Sequence, residues 1–306
     1  MAPTATDSTA SDRTLVGIGW MLVTTVLFVA VTVIVRHLGA AIPAPEAAFI
    51  RYGFGLLFIL PAFRSLLGAR PGAALMGRFA LRGVMHGLAV ILWFYAMARI
   101  PIAEVTALGY VAPIFVTIGA AFFFGERLHL RRIMAVIAGF AGVLVILRPG
   151  FAEISSGHLA QLGAAPLFAG SYLMAKGLTR EARPSVIVGM LSLFCTLTLL
   201  PGALIVWRPP SLAEVGWLAL TAAVATTGHY VLTRAFEAAP LTVTQPITFL
   251  QLVWAAVLGV VLFAEPIDPF VVLGGALVVG AVSYISHREA VAARRQHTPP
   301  APATKS

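Results

Sequence analysis

The chain has 306 residues, 59% of them hydrophobic and only 11% charged, and its mean hydropathy is +0.93. Soluble proteins carry about 25% charged residues, so too few remain here to coat a water-soluble globule; a soluble enzyme, a disordered chain and a disulfide-built secreted domain are excluded. The lone cysteine, Cys195, allows neither an internal disulfide nor a cysteine metal cluster, and the net charge of +9 must be explained by position before it is read as affinity for nucleic acid.

A bilayer crossing takes about 20 apolar residues, or roughly 30 with its loop, which leaves room for about ten. In chain order, residues 1–14 form a polar tail rich in Ser, Thr and Ala. Apolar runs between charged or Pro/Gly breaks then predict helices at Leu15–Val35, Ala47–Phe63, Phe79–Ala98, Ile102–Phe124 and Ile133–Leu147. Five more follow at Leu159–Leu178, Ser185–Trp207, Val215–Phe236, Leu241–Phe263 and Pro269–Ser286. Residues 288–306, with Arg294, Arg295 and a Pro-rich end, form a second polar tail. No run alternates as a barrel strand must. The predicted fold is an all-α integral membrane protein with ten transmembrane helices. The first run is too long for a signal-peptide core and lacks a small-residue cleavage site behind it, so it counts as a span.

Basic residues gather on the cytoplasmic side of membrane proteins. With a cytoplasmic N-terminus, sixteen of the 21 Lys and Arg residues fall inside, counting Arg82, Lys176 and Arg234 at the inner ends of their spans; Arg36, Arg99, Arg148 and Arg208 fall outside, and Arg51 is left within the second span. Both termini are therefore expected in the cytoplasm, in a multi-pass protein of a bacterial-type cytoplasmic (inner) membrane. The lipid bilayer then accounts for the positive charge, and no nucleic-acid partner is expected.

Sliding the chain along itself so that Ala96 falls on Ala235 also brings Pro101 onto Pro240, Phe124 onto Phe263 and Glu126 onto Glu265. In each copy a span ends in a short turn, Pro opens the next helix where its missing N–H costs nothing, and that helix ends in Glu. Two repeats are predicted, residues 15–148 and 158–287. Five spans is an odd number, so the second repeat enters from the opposite face, a plan of secondary transporters whose substrate sits between the halves near the midplane.

The segment Trp93-Phe94-Tyr95-Ala96 through Pro101, continuing as an Ala-rich helix with Pro113 and ending Phe124-Gly125-Glu126-Arg127, resembles the EamA-type family of the drug/metabolite transporter superfamily. Ala235 through Pro240 to Phe263-Ala264-Glu265 resembles that family's second repeat, and the Glu46…Arg51 opening of the second span is similar to its pattern. Over Leu15 to Ser286 the resemblance implies ten helices, a central cavity lined mainly by helices 1, 3, 4, 6, 8 and 9, and carriage of a small organic metabolite. An amino acid, a vitamin such as riboflavin, or a nucleoside-like or amphipathic compound such as S-adenosylmethionine fits that class.

Polar side chains within spans face protein or water rather than lipid, and helical spacing sorts them by face. Arg82, His86 and Trp93 share a stripe on helix 3; Thr106, Tyr110 and Thr117 share one on helix 4; Thr226, His229, Tyr230 and Thr233 share one on helix 8. Thr244, Thr248 and Gln251 line up on helix 9 beside Trp254, Gln161, Phe168 and Tyr172 on helix 6, and Trp20 and Thr24 on helix 1. The expected substrate-binding set is Trp20, His86, Trp93, Tyr110, Tyr172, His229, Tyr230, Thr248, Gln251 and Trp254, which could stack on and hydrogen-bond a flat organic solute. The alternative for each is helix glue or interfacial anchoring. His86, His229 and Glu104, the last near Arg99, are the groups able to carry a proton. Snorkelling accounts for Arg51 and Lys176. Glu126 and Glu265 sit at the negative pole of their helices and are expected to pin a neighbouring helix start or an Arg. Gly83/Gly87, Ala135/Gly139, Ala138/Gly142 and Ala276/Gly280 have the small-residue spacing that brings backbones close, which also permits a homodimer.

Neither a phosphate-binding Gly-x4-Gly-Lys-Ser/Thr loop nor a His-Glu-x-x-His zinc pair nor a Gly-x-Ser-x-Gly elbow occurs. No catalytic residue, metal site or cofactor is therefore assigned. The sequence reads as a secondary transporter working by alternating access. A passive channel would need charge rings or carbonyl filter loops, and an intramembrane transferase a nucleophile to serve His86.

Overall fold

A computed structural model of the chain describes residues 5–68, 72–112, 114–115, 130–150, 152–239, 244, 247–248 and 250–296. Ten helices occur among the described residues: α1 (Ala5–Leu38), α2 (Ala44–Gly68), α3 (Ala73–Met97), α4 (Ile102–Gly109), α5 (Leu130–Leu147), α6 (Ser156–Leu178), α7 (Pro184–Ile205), α8 (Leu212–Ala238), α9 (Leu250–Phe263) and α10 (Pro269–Gln296). Each lies on one of the ten predicted runs. Leu15–Leu38, α3, α7 and α8 are long and apolar enough to cross a membrane. Much of the predicted Ile102–Phe124 span, with Pro113 and Thr117, Glu126 just after it, and the start of the Leu241–Phe263 span, with Pro246, lie outside the described residues.

Local chemistry sets the helix starts. Pro184 opens α7, where its fixed φ suits the first turn. Ser211 and Glu214 form a reciprocal capping box at α8, with Ser211 N donating to Glu214 Oε2 at 2.7 Å. At α6 the third helical position is a histidine instead: His158 Nδ1 accepts from Ser155 N at 3.0 Å. Gly39 ends α1 at φ +60°, its N–H bonded to Val35 O. Ala264 takes a left-handed φ of +53° after α9, a conformation that costs an alanine about 1–2 kcal/mol. That turn swings Glu265 back over the helix end, its N–H on Gly259 O.

The helices pack as a bundle in which α1 lies against α8, α3 against α6, α2 against α7, α5 against α10 and α4 against α9; α3 also meets α7, and α2 meets α8. Leucine, valine and isoleucine stripes such as Val26, Leu57, Ile137, Leu144, Leu204, Val261 and Leu273 are exposed around the outside. So much outward apolar surface is what a lipid-facing girdle requires.

Connections gather at two ends. One end joins the α1–α2, α3–α4, α5–α6, α7–α8 and α9–α10 turns. There Glu265 pairs with Arg36 at 2.8 Å and accepts from Ile102 N at 3.0 Å, Arg148 pairs with Asp268, and Arg208 N donates to buried Glu46 at 3.0 Å. At the opposite end Arg78 is bidentate to Glu181, and Lys176 donates to Phe236 O and to Ala239 O at 3.2 Å. This alternation of ends is that of a chain crossing to and fro.

Small residues set the close approaches. A Cβ on Gly83 would collide with Phe194 of α7, and one on Gly87 would meet Thr198 at 3.3 Å. Gly142 faces Gly274 O across the α5–α10 contact at 2.7 Å from its would-be Cβ. The α10 partner is thus Gly274 rather than the expected Gly280, which has open space where its Cβ would be.

Candidate functional site

Two buried histidines meet in the middle of the bundle. His86 on α3 and His229 on α8 are 1% and 6% exposed, with ring centroids 5.1 Å apart at 73°. α3 begins at Ala73, ahead of the expected start at Phe79, which puts His86 about 20 Å along its helix. Apolar packing on both sides keeps the pair from water. Phe28 of α1 lies edge-on to His229 at 5.1 Å, and Phe168 of α6 edge-on to His86 at 5.1 Å. Phe168 is stacked on Tyr172 at 5.9 Å, and Tyr52 of α2 meets His86 at 6.2 Å.

Polar atoms line the same place. Ser171 Oγ is 2.9 Å from His86 Nδ1. One turn before His86, Arg82 donates from Nη1 to Ile187 O of α7 at 3.0 Å. Arg51, on α2, lays its guanidinium 3.8 Å over the Tyr52 ring. Both arginines are buried, 5% exposed for Arg51 and 1% for Arg82. Snorkelling therefore does not describe Arg51, which begins two turns inside α2 and turns inward. Nor does it describe Lys176, whose ammonium is spent on the carbonyls at the end of α8. Sequence reasoning missed Arg51, Tyr52 and Ser171 as members of this site. Arg82 carried a signal, being four residues before His86 on one helical face.

The other expected residues divide into groups. Tyr110, 7% exposed at the end of α4, donates to Thr248 O at 2.6 Å and so joins α4 to the α9 side. Buried Gln161 of α6 lies by, its Nε2 3.2 Å from where Gly109 would carry a Cβ. Thr248 and Gln251 are half-buried, as are Trp20 beside Met21 and Phe236, and Trp93 beside Phe94. Tyr230 and Trp254 part from the set. Tyr230 is 41% exposed on α8, and Trp254 45% exposed among Val253, Val257 and Val261. Adjacent helical positions differ by about 100° in direction, which lets His229 be buried while Tyr230 is exposed.

Glu104 pairs with His158 rather than with Arg99: His158 Nε2 is 2.7 Å from Glu104 Oε2. Because Nδ1 accepts the Ser155 N–H, the proton sits on Nε2 and is donated to the carboxylate. Arg99 instead lies 3.5 Å over the Tyr95 ring. Glu265, expected to pin a helix start or an Arg, contacts one of each, Arg36 and the first N–H of α4. At this same end a cavity of about 280 Å³ is lined by Val35, Ile42, Pro45, Phe94, Tyr95 and Arg99 among others.

Comparison with known proteins places this geometry. The EamA-like transporter family matches twice, over residues 15–148 and 155–287. A riboflavin transporter of Rhizobium johnstonii is 32% identical, the match covering 94% of this chain and 95% of that one. A pseudopaline exporter of Pseudomonas aeruginosa is 28% identical over 85% of this chain and 92% of its own, and an S-adenosylmethionine uptake transporter of Rickettsia bellii 25% over 90% and 94%. A crystal structure 20% identical in sequence superposes with a TM-score of 0.57 over 94% of this chain and 99% of its own, a likeness of fold.

Proposed function

The chain belongs to the EamA-like transporter family and is a multi-pass membrane protein, and from that premise we propose a secondary carrier in which two oppositely oriented halves of five helices pass a small organic metabolite between them. The halves are residues 15–148 and 158–287, with tails 1–14 and 288–306. In this reading both termini are cytoplasmic, the membrane is the cytoplasmic one, and the Arg36–Glu265 end faces out. Alternating access opens the central path to one side at a time.

One observation carries this reading: His86 of the first half and His229 of the second meet mid-bundle, buried among aromatic rings. The packing pattern supports the repeat. Exchanging each helix with the one five places on turns the α1–α8 contact into α3–α6 and α1–α9 into α4–α6, and returns α2–α7, α4–α9 and α5–α10 to themselves. A cation at the end of α1, Arg36, holds Met97 O, and one at the end of α6, Lys176, holds Phe236 O, the residue onto which Met97 slides.

Trp20, His86, Trp93, Tyr110, Tyr172, His229, Thr248 and Gln251 line the path in this reading, whereas Tyr230 and Trp254 face lipid. Of the three proton-carrying candidates, Glu104 is engaged by His158 at the outer end, which leaves the His86–His229 pair in the path. The test is solute counterflow in proteoliposomes, with riboflavin, S-adenosylmethionine and amino acids as first probes. A carrier shows counterflow; solute-independent conductance would replace it with a channel. Accessibility tags on the two termini must report the same side.

A further inference from the structure

We propose that the middle of the bundle is an anion site, in which Arg51 and Arg82 receive a carboxylate or phosphate group of the carried solute beside His86, His229 and Tyr52. The inference rests on the carrier reading and adds the charge of the cargo to it.

Its basis is a charge imbalance. A guanidinium withdrawn from water is costly unless an anion and hydrogen bonds compensate it. Here two are withdrawn together, 5% and 1% exposed. Their donors are only partly used: Nη1 of Arg51 and Nε of Arg82 are buried without a hydrogen-bond partner, and so is Nδ1 of His229. Among the described residues no carboxylate of the surrounding helices is placed to help; the acids of α1, Asp7 and Asp12, lie in its first turns, well before Phe28. Helices α3, α6 and α7 contain no Asp or Glu at all. The sole acid of α2, Glu46, lies in its first turn and takes the Arg208 N–H, while the acids of α8, Glu214 and Glu237, sit at its two ends beside Arg208 and Arg234.

The donor set suits a planar or tetrahedral oxyanion. Guanidinium groups present parallel N–H donors that match carboxylate and phosphate oxygens, and they do so more strongly where water is excluded. The stacked Phe168–Tyr172 pair lies against His86, a flat wall for an aromatic body attached to that anion. A cationic solute would meet two like charges here.

The experiment uses the full chain, purified in detergent, with sodium benzoate and sodium phosphate as probes against sodium chloride at equal ionic strength. Either oxyanion should raise the melting temperature with dose, as a ligand of the folded state does. Hydrogen–deuterium exchange of the wild type should slow over residues 45–60, 78–92 and 222–236. Arg51→Gln and Arg82→Gln should each weaken the apparent affinity about tenfold or more, with Arg51→Lys less affected. Benzoate and phosphate results separate a carboxylate site from a phosphate site. No rise with either probe, protection confined to the ends of the bundle, or a rise undiminished in the Arg51→Gln/Arg82→Gln double variant would overturn the proposal. Should the variants fail to fold, the wild-type exchange map decides alone. A rise produced only by phosphatidylglycerol would assign the arginines to a lipid headgroup and overturn the solute site. Counterflow of riboflavin indifferent to both anions would end the anion site and leave the carrier standing; conductance without counterflow would end the carrier instead.

Discussion

The tightest backbone approach in the bundle offers a quantitative test of how it is held together. At the α5–α10 contact, a Cβ on Gly142 would lie 2.7 Å from Gly274 O and 2.8 Å from Val278 Cγ2; one on Gly274 would lie 2.5 Å from Gly142 O and 2.6 Å from Ile146 Cγ1. Ordinary contact begins near 3.4 Å. Gly142→Ala therefore forces α5 and α10 apart by about 0.7 Å, and Gly274→Ala by about 0.9 Å, overpacking that costs about 1–3 kcal/mol each. A melt of the purified chain should fall by about 2–4 °C per kcal/mol. Once the axes have separated for the first Cβ, the second finds room, so the double variant should lose less than the sum. Gly280→Ala is the control. Its Cβ meets nothing within 4 Å, and alanine exceeds glycine in helix propensity by about 1 kcal/mol, so the melt should rise. The α5–α10 pair contributes no side chain to the histidine cluster, so counterflow affinity should not change. Wild-type melting of Gly142→Ala, or a fall in Gly280→Ala as large as in Gly142→Ala, would refute the packing argument.

Three other outcomes follow from the geometry. Trp93→Ala and Gln251→Ala should cut counterflow by about tenfold, the worth of about 1.4 kcal/mol of lost contact, while Tyr230→Ala, on an outward stripe, should leave it intact; an equal loss in all three would return Tyr230 to the path. Glu265→Ala should cost about 1–3 kcal/mol of stability, read as a lower melting temperature, since it orphans the Ile102 N–H and removes the partner of half-buried Arg36, and Glu265→Gln, which can still accept, should lose less. Arg78 holds the exposed Glu181 carboxyl below its usual pKa, chiefly through their hydrogen bond. Whatever that pair contributes is complete above the unfolded carboxyl pKa and is lost only as pH falls through the depressed folded one, so Glu181→Gln melts at pH 7 and pH 5.5 should differ from wild type by the same small amount.

Helices were legible because each had to bury or expose about twenty apolar residues in one stroke, and breaks such as Gly39, Pro101, Pro184 and Ser211 carry their own local physics. Boundaries were less so. The run Phe79–Ala98 began after the charge at Arg78, but α3 starts at Ala73 and carries Arg78 within it, paired with Glu181. Charges that have partners do not end a helix. Pairing by proximity in the chain misled in the same way: Arg99 is the nearer cation to Glu104 in sequence, yet the capping histidine of the neighbouring α6 takes it.

The site was half legible for a related reason. A stripe on one helix says which residues share a direction, and that sufficed for Arg82 with His86. It does not say whether the direction points to lipid or protein. Tyr230 and His229 stand side by side in the chain and one faces out while the other faces in, a choice made by Phe28 and His86 on two other helices. Arg51 shows the stronger form of the same limit. Taken alone, an arginine inside an apolar run is most cheaply explained by reaching for the headgroups. Only packing reveals Tyr52 beneath it and a second buried arginine on α3. Two inward cations without an acid between them are an arrangement that folding alone disfavours, which is why the functional reading of this bundle turns on what comes to neutralise them.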